Sequence, residues 1–268
     1  MRRSLSTFAA AFVVAVYLSP IYWVAITSIK PTVAINSSTP VWDFAPTGEH
    51  YAEIFTRFQF GSAIVSSLIV VLSATAITVA VSFVCAFALA RMKLRGGDAL
   101  SLFILSLRFM PAVVVAMPFY LLYTRFGLID THLGLIIAYV GFGTPFAVWL
   151  LRGFLRDLPK EIEEAARLDG LGWGRLIRKI VLPLSAPGLA VTAVFTFVFN
   201  WNEFLFALYI TQSKAVTVPI QVAKMIDLYN VLWGPISAAV MVQLIPMVVV
   251  VAFIQRHMIR GLAMGAVK

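Results

Sequence analysis

Charged residues are scarce in this sequence, in which Asp, Glu, Lys and Arg together make up 12% of the 268 residues. A soluble domain usually carries about twice that share and roughly 45–50% apolar residues, whereas 61% of this chain is apolar. A water-exposed fold of this size could not bury so much apolar surface, which argues against a soluble enzyme. The same composition excludes intrinsic disorder. The sequence therefore predicts an integral membrane protein.

Side chains that could form a disulfide, a metal site or a catalytic set are also few. The single cysteine, Cys85, can form neither an internal disulfide nor a thiolate cluster. His50, His132 and His257 are far apart and lack neighbours at ligand spacing, so we expect ordinary interfacial histidines. The chain also lacks a Gly-x4-Gly-Lys phosphate loop and a nucleophile–base set. We therefore expect a non-catalytic protein that binds no cofactor itself and does not hydrolyse ATP.

Long apolar runs are what the chain has in place of charge. A membrane-spanning helix needs roughly 20 mostly apolar residues. Six stretches meet that condition: Phe8–Ile29, Ser62–Ala90, Leu100–Tyr123, Leu133–Leu151, Gly188–Ile210 and Pro235–Ile254. The first is longer than the roughly 7–15 residues of a signal-peptide core, so it is predicted to remain as an uncleaved span. The predicted fold class is an all-α membrane protein with six transmembrane helices and a helical loop between the fourth and fifth.

Basic residues are distributed unevenly between alternate loops. Most of the 21 Lys and Arg residues fall in the two terminal segments and in the second and fourth loops. Loops rich in Lys and Arg stay in the cytoplasm. Both termini and the long fourth loop are therefore predicted to be cytoplasmic.

Small side chains recur every four residues along the second predicted span, at Ala74, Thr78, Ser82, Ala86 and Ala90. A stripe of this kind lets another membrane helix approach closely. The partner helix belongs either to this chain or to a second subunit, and the spacing does not choose between them.

The fourth loop contains the most informative local pattern. Pro159 suits the first turn of a helix, acidic residues follow near the positive end of its dipole, and Gly170 can end it in the left-handed conformation. A second, amphipathic helix is predicted after Gly170, with Pro183 and Pro187 ending it before the fifth span. Its apolar stripe consists of Trp173, Leu176, Ile177 and Ile180, with Arg175, Arg178 and Lys179 turned away.

This loop resembles the Glu-Ala-Ala loop of permease subunits from binding-protein-dependent ABC importers. The fixed positions of that motif are present at the right spacing, as Glu164-Ala165-Ala166, Gly170, Ile180 and Leu182-Pro183. The resemblance covers nearly the whole chain and points to the sugar-importing, maltose-type branch. Further cues are Pro20-Ile21-Tyr22, Gly127-Leu128-Ile129-Asp130-Thr131, Trp201-Asn202-Glu203-Phe204, and the ending Gly261-Leu262 with Gly265-Ala266-Val267-Lys268.

The resemblance implies one permease domain over residues 1–268, with the core spans in 62–256 and the coupling loop in 152–187. It implies a bacterial inner membrane and four kinds of partner: a second homologous permease, two ABC ATPase subunits that bind ATP and Mg²⁺, an extracytoplasmic solute-binding protein, and membrane lipid. Nucleic acid is not an expected partner, despite a net charge of +9. The residues implied to couple with the ATPase are Glu164, Ala165, Ala166, Asp169 and Gly170; the alternative is a solvated loop that rests on lipid headgroups.

The resemblance also implies contacts at both faces of the membrane. The outer loop from Thr211 to Gly234 should reach toward the docked binding protein. The tail from Gly261 to Lys268 should lie against the ATPase pair.

Polar residues inside the predicted spans are candidates for the solute path. Thr192, Thr196 and Asn200 are four residues apart, and Glu203 is expected to continue the same helix face in the outer half of the fifth span. A carboxylate at membrane depth should face a partner or water rather than lipid. The stripe either lines the path or its gate, or forms hydrogen bonds between helices, and Gln243 carries the same two alternatives. Arg108 is expected to reach the interface or pair with a neighbour, the alternative being attraction of an acidic solute.

The function predicted from these patterns is that of a permease subunit in an ATP-driven sugar importer that works by alternating access. A self-sufficient secondary transporter would need coupling-ion groups near the middle of the membrane, often within inverted repeats. The only charged residues within the predicted spans are Arg108 and Glu203, and no repeat is evident. A membrane enzyme would need a catalytic constellation. The solute stays open between neutral oligosaccharides, polyols and acidic sugars, because much of the selectivity should reside in the binding protein.

Overall fold

The computed structural model describes residues 2–92, 94–226 and 231–265, with side chains described for residues 6–92, 94–226 and 231–253. The predicted contacts of the tail from Gly261 to Lys268 therefore lie outside the described side chains. The described residues form helices and contain no β-strand. The helices are α1 (Arg2–Ile29), α2 (Thr32–Ile35), α3 (Glu49–Thr56), α4 (Phe60–Arg91), α5 (Gly97–Ser106), α6 (Ala112–Arg125), α7 (His132–Asp157), α8 (Lys160–Leu168), α9 (Trp173–Leu176), α10 (Leu182–Leu184), α11 (Ala186–Trp201), α12 (Leu205–Ile210), α13 (Val218–Ala223) and α14 (Trp233–Gly265).

Four of these helices contain a segment long and apolar enough to cross a membrane: Ser6–Ile29, Phe60–Arg91, His132–Asp157 and Trp233–Phe253. They confirm helices at the first, second, fourth and sixth predicted spans. Two bent pairs have the same composition, Gly97–Phe109 with Ala112–Arg125 at 86° and Trp173–Leu184 with Ala186–Trp201 at 72°. The described residues thus contain four candidate spans, or up to six if each bent pair counts as one.

The third predicted span, Leu100–Tyr123, is not one helix. Helix α5 passes into a 3₁₀ turn at Leu107–Phe109, and Met110 then adopts an extended conformation with ψ of 125°. Pro111 is the cause, because a proline has no N–H to continue the helix and drives the residue before it out of the helical region.

The prediction of a single helix over Gly188–Ile210 is also wrong. Helix α11 ends at Trp201 and α12 begins at Leu205, which leaves a short connection between them. Before α11, the chain turns at Ser185 rather than at a proline, because Pro183 and Pro187 each lie in the first turn of a helix, where a missing N–H costs nothing.

The described chain divides into two compact units, of which the first comprises residues 1–65 and 217–246. Its core packs α3, the start of α4, α13 and α14 together through Ile54, Phe60, Ala63, Val218, Met225, Ala238 and Ala239. Fully buried His50 adds a polar link, since its Nε2 lies 2.8 Å from the carbonyl oxygen of Lys30.

The second unit comprises residues 66–216 and 247–268. Helix α7 is its central element and packs against α5, α11 and α12. The approach of α11 to α7 requires a glycine, because a Cβ at Gly188 would lie 2.7 Å from the ring of Phe154. At the same C-terminal end of α7, Leu151 and Leu155 pack with Phe83 and Phe87 of α4 and with Leu176.

The small-residue stripe of α4 packs within this chain. Ala74, Thr78, Ser82 and Ala86 are all fully buried, although no second subunit is present. The Ser82 hydroxyl donates to the carbonyl oxygen of Thr144 on α7 at 3.4 Å. Of the two partners left open by the spacing, the structure shows the internal one.

Candidate functional site

The helix predicted between Pro159 and Gly170 is present as α8. Pro159 stands at its N-cap, and Glu161 and Glu163 lie in its first turn. Gly170 has φ of +82°, the left-handed conformation that favours glycine. The N–H of Gly170 donates to the Arg167 carbonyl and that of Leu171 to the Ala166 carbonyl, so this turn satisfies the last carbonyls of the helix. Residues 159–171 are called the α8 segment below.

The inward face of α8 is held by a buried ion pair that the sequence did not reveal. Arg91 Nε donates to Glu163 Oε1 at 2.7 Å, and both side chains are buried. A second nitrogen of Arg91 donates to the Leu158 carbonyl at 3.2 Å. Ala166 lies on the same face and is buried in the core of the second unit. Of the two alanines in the Glu-Ala-Ala motif, only Ala165 is therefore exposed.

The outward face of α8 carries apolar side chains. Leu168 is 89% exposed and Ile162 43% exposed, and Ala165 lies between them at a spacing of three residues. Residues three apart lie close together on a helix surface. Glu164 and Asp169 are also exposed. The helix thus turns its buried acid inward and its bulkiest apolar side chains outward, the reverse of a solvated surface helix.

The amphipathic helix predicted after Gly170 is also present, although its backbone is not uniform. It begins as α9, continues as a π-helical turn over Ile177–Val181 and ends as α10. Leu176 is fully buried, whereas the basic residues predicted to turn away, Arg175, Arg178 and Lys179, are exposed. The amphipathic pattern is therefore confirmed, with Trp173 packed against Phe87 at a ring-centroid distance of 6.0 Å.

A cavity of about 400 Å³ lies between helices of the second unit. Its lining comes from the turn after α5, from α6, α7, α11 and α12, and from the connection between α11 and α12. Aromatic rings are the largest group in the lining, and four polar or charged side chains and three small or aliphatic residues complete it: Tyr139, Phe142, Phe146, Phe199 and Phe206, with Arg108, Thr196, Asn200 and Glu203, and with Met110, Ala112 and Gly143. We refer to it as the aromatic cavity.

Arg108 turns into the aromatic cavity. Its Nη1 donates to the Phe142 carbonyl at 3.2 Å, and its guanidinium lies 5.2 Å from the ring centroid of Phe199. These contacts match the predicted pairing with a neighbour, and they leave a positive charge at the cavity wall.

Glu203 does not continue the helix face of α11, so that prediction was wrong. It follows the end of α11, and its carboxylate accepts the N–H groups of Phe206 at 2.9 Å and Ala207 at 3.2 Å. These N–H groups belong to the first turn of α12, where a helix offers no carbonyl partner. Glu203 therefore stabilises the start of α12 and lines the cavity at the same time.

The three other polar residues of α11 share one buried face, as their spacing predicted. Thr192 bonds to its own helix, through the Gly188 carbonyl at 2.8 Å, and does not line the aromatic cavity. Thr196 and Asn200 line it, and Asn200 also donates to Thr75 of α4 at 3.4 Å. Asn200 thus forms the bond between helices that was one alternative for this stripe, while its part in a solute path stays a prediction. Gln243 lies on α14, half-buried in the first unit.

A third polar arrangement joins the turn between α6 and α7 to the loop after α12. The carboxylate of Asp130 accepts the backbone N–H groups of Gln212, Ser213, Lys214 and Ala215 at 2.9–3.1 Å, and the Ser213 hydroxyl as well. Burial alone would raise the pKa of Asp130, but these hydrogen bonds outweigh it and hold the pKa well below the ordinary value of 3.8. The sequence placed Asp130 only within a family cue and gave no sign of this contact.

Known proteins resemble this chain along most of its length. Residues 79–264 match the family model described as "Binding-protein-dependent transport system inner membrane component". A probable ABC transporter permease protein of Sinorhizobium fredii is 36% identical over 253 residues, which cover 94% of this chain and 91% of that protein. The trehalose transport system permease protein of Mycobacterium tuberculosis is 34% identical over 259 residues, which cover 96% of this chain and 94% of that protein.

A solved structure shares the fold. One chain of a bacterial ABC transporter involved in the import of the acidic polysaccharide alginate superposes with a TM-score of 0.76. The match covers 94% of both chains at 20% sequence identity. At that identity the likeness concerns the arrangement of the helices.

Proposed function

Since the chain belongs to the family of binding-protein-dependent transport system inner membrane components, we propose that it imports a sugar or a sugar derivative as one of two permease subunits. The chain is the membrane component of its transport system and leaves ATP hydrolysis to a separate subunit. In this proposal it forms half of the translocation pathway, a second homologous permease forms the other half, and the pair works by alternating access.

The observation that carries the proposal is the outward face of the α8 segment. Leu168 and Ile162 are exposed although the inner face of the same helix is buried. Exposed apolar side chains on a short helix that is fixed from behind fit a groove in another protein. We propose that two ABC ATPase subunits, which bind ATP and Mg²⁺, supply such grooves, one to each permease. Glu164, Ala165, Asp169 and Gly170 would then lie at the rim of the contact, while Ala166 acts from the core side.

The aromatic cavity supports a sugar as the solute. Small-molecule sites are lined mainly by apolar and aromatic side chains with a few polar groups that fix orientation. Here Thr196, Asn200 and Glu203 can hydrogen-bond hydroxyl groups, and the phenylalanine rings offer flat surfaces for the C–H faces of a pyranose. Trehalose, the cargo named for the relative from Mycobacterium tuberculosis, has this chemistry. We assign the cavity to the solute path, with Gln243 of α14 as a further candidate.

The same proposal fixes the topology. We assign α5 and α6 together to the third span and α11 and α12 together to the fifth, which gives six spans. We assign the α8 segment and both termini to the bacterial cytoplasm because Lys and Arg are in surplus in those segments. Residues 1–268 then form one permease domain whose core is 62–256, with the coupling loop in 152–187.

Uptake by reconstituted vesicles tests the proposal. The chain is purified with its partner permease, the ATPase and the binding protein, and trehalose, a polyol and an acidic sugar are offered in turn. We expect uptake of one of these solute classes. It should require ATP on the side of the membrane that carries the ATPase, and the binding protein on the opposite side. Uptake by the chain alone, driven by an ion gradient without an ATPase, would overturn the proposal in favour of a secondary transporter.

A further inference from the structure

We propose that Asp130 is a positioning residue, which fixes residues 212–215 in the shape that docks on the solute-binding protein. The inference rests on the proposed function, and it assigns to the turn between α6 and α7 a role in recognition on the outer side. The observation that supports it is that the Asp130 carboxylate accepts hydrogen bonds from four consecutive backbone N–H groups, from Gln212 to Ala215. Residues 212–215 are called the 212–215 loop below.

Consecutive backbone N–H groups that converge on one point form a concavity that binds anions. In the 212–215 loop this concavity is filled by a side chain brought from more than 80 positions away in the sequence. Hydrogen bonds to an ionised carboxylate are shorter and stronger than those between neutral groups. The backbone of Asp130 adds a further tie, since its N–H donates to the Ile210 carbonyl at 2.8 Å. The loop is therefore held at its start and along its length.

Asp130 adopts φ of +56°, which few residues other than glycine accept at low cost. Asp and Asn tolerate this conformation because their short polar side chains bond locally. The turn does not need Asp130 to start α7, because the hydroxyl of Thr131 caps that helix by accepting the N–H of Gly134 at 3.0 Å. The strained backbone and the carboxylate thus serve the 212–215 loop rather than the helix beside it.

The 212–215 loop presents a polar tip on buried supports. Gln212, Ser213 and Lys214 are exposed, whereas Thr211 and Ala215 on either side are buried. The Lys214 ammonium has no carboxylate within ion-pair distance among the described residues. A loop that is already ordered loses less conformational entropy on docking than a mobile one. We therefore assign this ordered tip, with the exposed ammonium of Lys214, to the contact with the binding protein.

The substitution Asp130→Asn isolates the carboxylate, because Asn keeps the volume and tolerates the same φ but replaces one acceptor oxygen with a donor. Ser213→Ala is the matched control, since it removes one hydroxyl bond and leaves the backbone bonds intact. In the assembled complex, amide hydrogen exchange reports the order of the 212–215 loop. The binding-protein concentration that gives half-maximal stimulation of ATP hydrolysis reports docking.

For Asp130→Asn we expect amide exchange at residues 212–215 to be about tenfold faster. The binding-protein concentration that gives half-maximal stimulation should be about tenfold higher. A factor of about ten corresponds to the loss of one charge-assisted hydrogen bond. Ser213→Ala should change either value by about twofold at most. Unchanged exchange in Asp130→Asn would overturn the positioning role. Faster exchange with a parental half-maximal concentration would overturn the link to docking.

Lys214→Glu keeps the inference testable if Asp130→Asn does not assemble. The side chain is exposed, so the fold should tolerate the change, and reversal of its charge should raise the half-maximal concentration several-fold at low salt. A parental value would overturn the docking surface. A parent complex that the binding protein does not stimulate would instead overturn the proposed function, whatever the exchange rates show.

Discussion

The α8 segment and the aromatic cavity belong to the same unit but are built in opposite ways. The α8 segment takes its helix, its proline start and its glycine end from consecutive residues. The aromatic cavity collects side chains from separate elements between Arg108 and Phe206. The first is therefore a local structure, and the second exists only after the helices have packed.

Their exposed groups differ as well. In the α8 segment, Leu168 is 89% exposed and Ile162 43% exposed, so apolar surface faces outward. In the aromatic cavity, Arg108, Asn200 and Glu203 face open space but already have hydrogen-bond partners within the chain. A change in α8 should therefore affect attachment of a partner, whereas a change in the cavity should affect folding and transport together.

The largest expected effect concerns the one distant contact that holds the otherwise local α8 segment in place. Glu163→Ala leaves Arg91 buried without its carboxylate, and loss of one member of a buried ion pair costs about 3–5 kcal/mol. We expect α8 to detach from the core, so that the purified complex loses its ATPase subunit at a clearly lower temperature.

The double variant Arg91→Met with Glu163→Leu is the control, because replacement of a buried pair by apolar residues of similar size is often neutral. It should restore most of the thermal stability. If Glu163→Ala is as stable as the parent, the ion pair does not hold the helix.

The contrast between local and distant construction also explains what the sequence could predict. The α8 helix, its proline start and the left-handed Gly170 follow from residue types at fixed offsets, so they were predicted. The direction in which α8 faces was not, because Glu163 points inward only by virtue of Arg91, 72 positions away. A sequence pattern that places an acid on the buried face of a helix cannot be recognised before the partner is known.

The aromatic cavity shows the same limit. The buried face of Thr192, Thr196 and Asn200 was predicted from a four-residue period, but the end of α11 was not, since no glycine or proline marks it. The bend of 86° between α5 and α6 was not predicted either, although Pro111 is the local residue that breaks the helix there. Asp130 was the hardest residue to predict, because the hydrogen-bond donors to its carboxylate all lie in residues 212–215, more than 80 positions away.

A smaller effect should separate the two roles of Glu203 in the aromatic cavity. Glu203→Leu removes the acceptor for the first N–H groups of α12, and loss of such a cap costs about 0.5–2 kcal/mol. We expect less assembled complex in membranes. Glu203→Gln keeps one acceptor oxygen, so the complex should assemble near the parental level while uptake per complex falls.

Uptake and ATP hydrolysis per assembled complex are the measurements for this pair. If Glu203→Gln matches the parent in both while Glu203→Leu fails to assemble, Glu203 is a helix cap and has no part in the solute path. The assignment of the aromatic cavity to transport would then rest on Asn200 and Thr196.

The smallest change in free energy concerns Gly170, and it sharpens the comparison because it separates backbone strain from contact. A Cβ at Gly170 would meet no atom within 4 Å, so the chain itself has room for a side chain. Any residue at position 170 must instead adopt φ of +82°, and this conformation costs a β-branched residue roughly 1 kcal/mol or more. Gly170→Val should therefore leave the spans inserted and the partner permease bound, but shift the turn that orients α8. Attachment of the ATPase should weaken, or ATP hydrolysis should continue without solute uptake.

Gly170→Asn is the matched control, because Asn has a side chain of similar size but accepts the left-handed conformation. It should couple hydrolysis to uptake nearly as the parent does in the same vesicle preparation. Equal loss in both variants would show that the ATPase requires the space beside Gly170 rather than its backbone angle. Parental uptake by Gly170→Val would contradict the coupling role of the α8 segment, since a turn that tolerates this strain cannot be what fixes the helix against its partner.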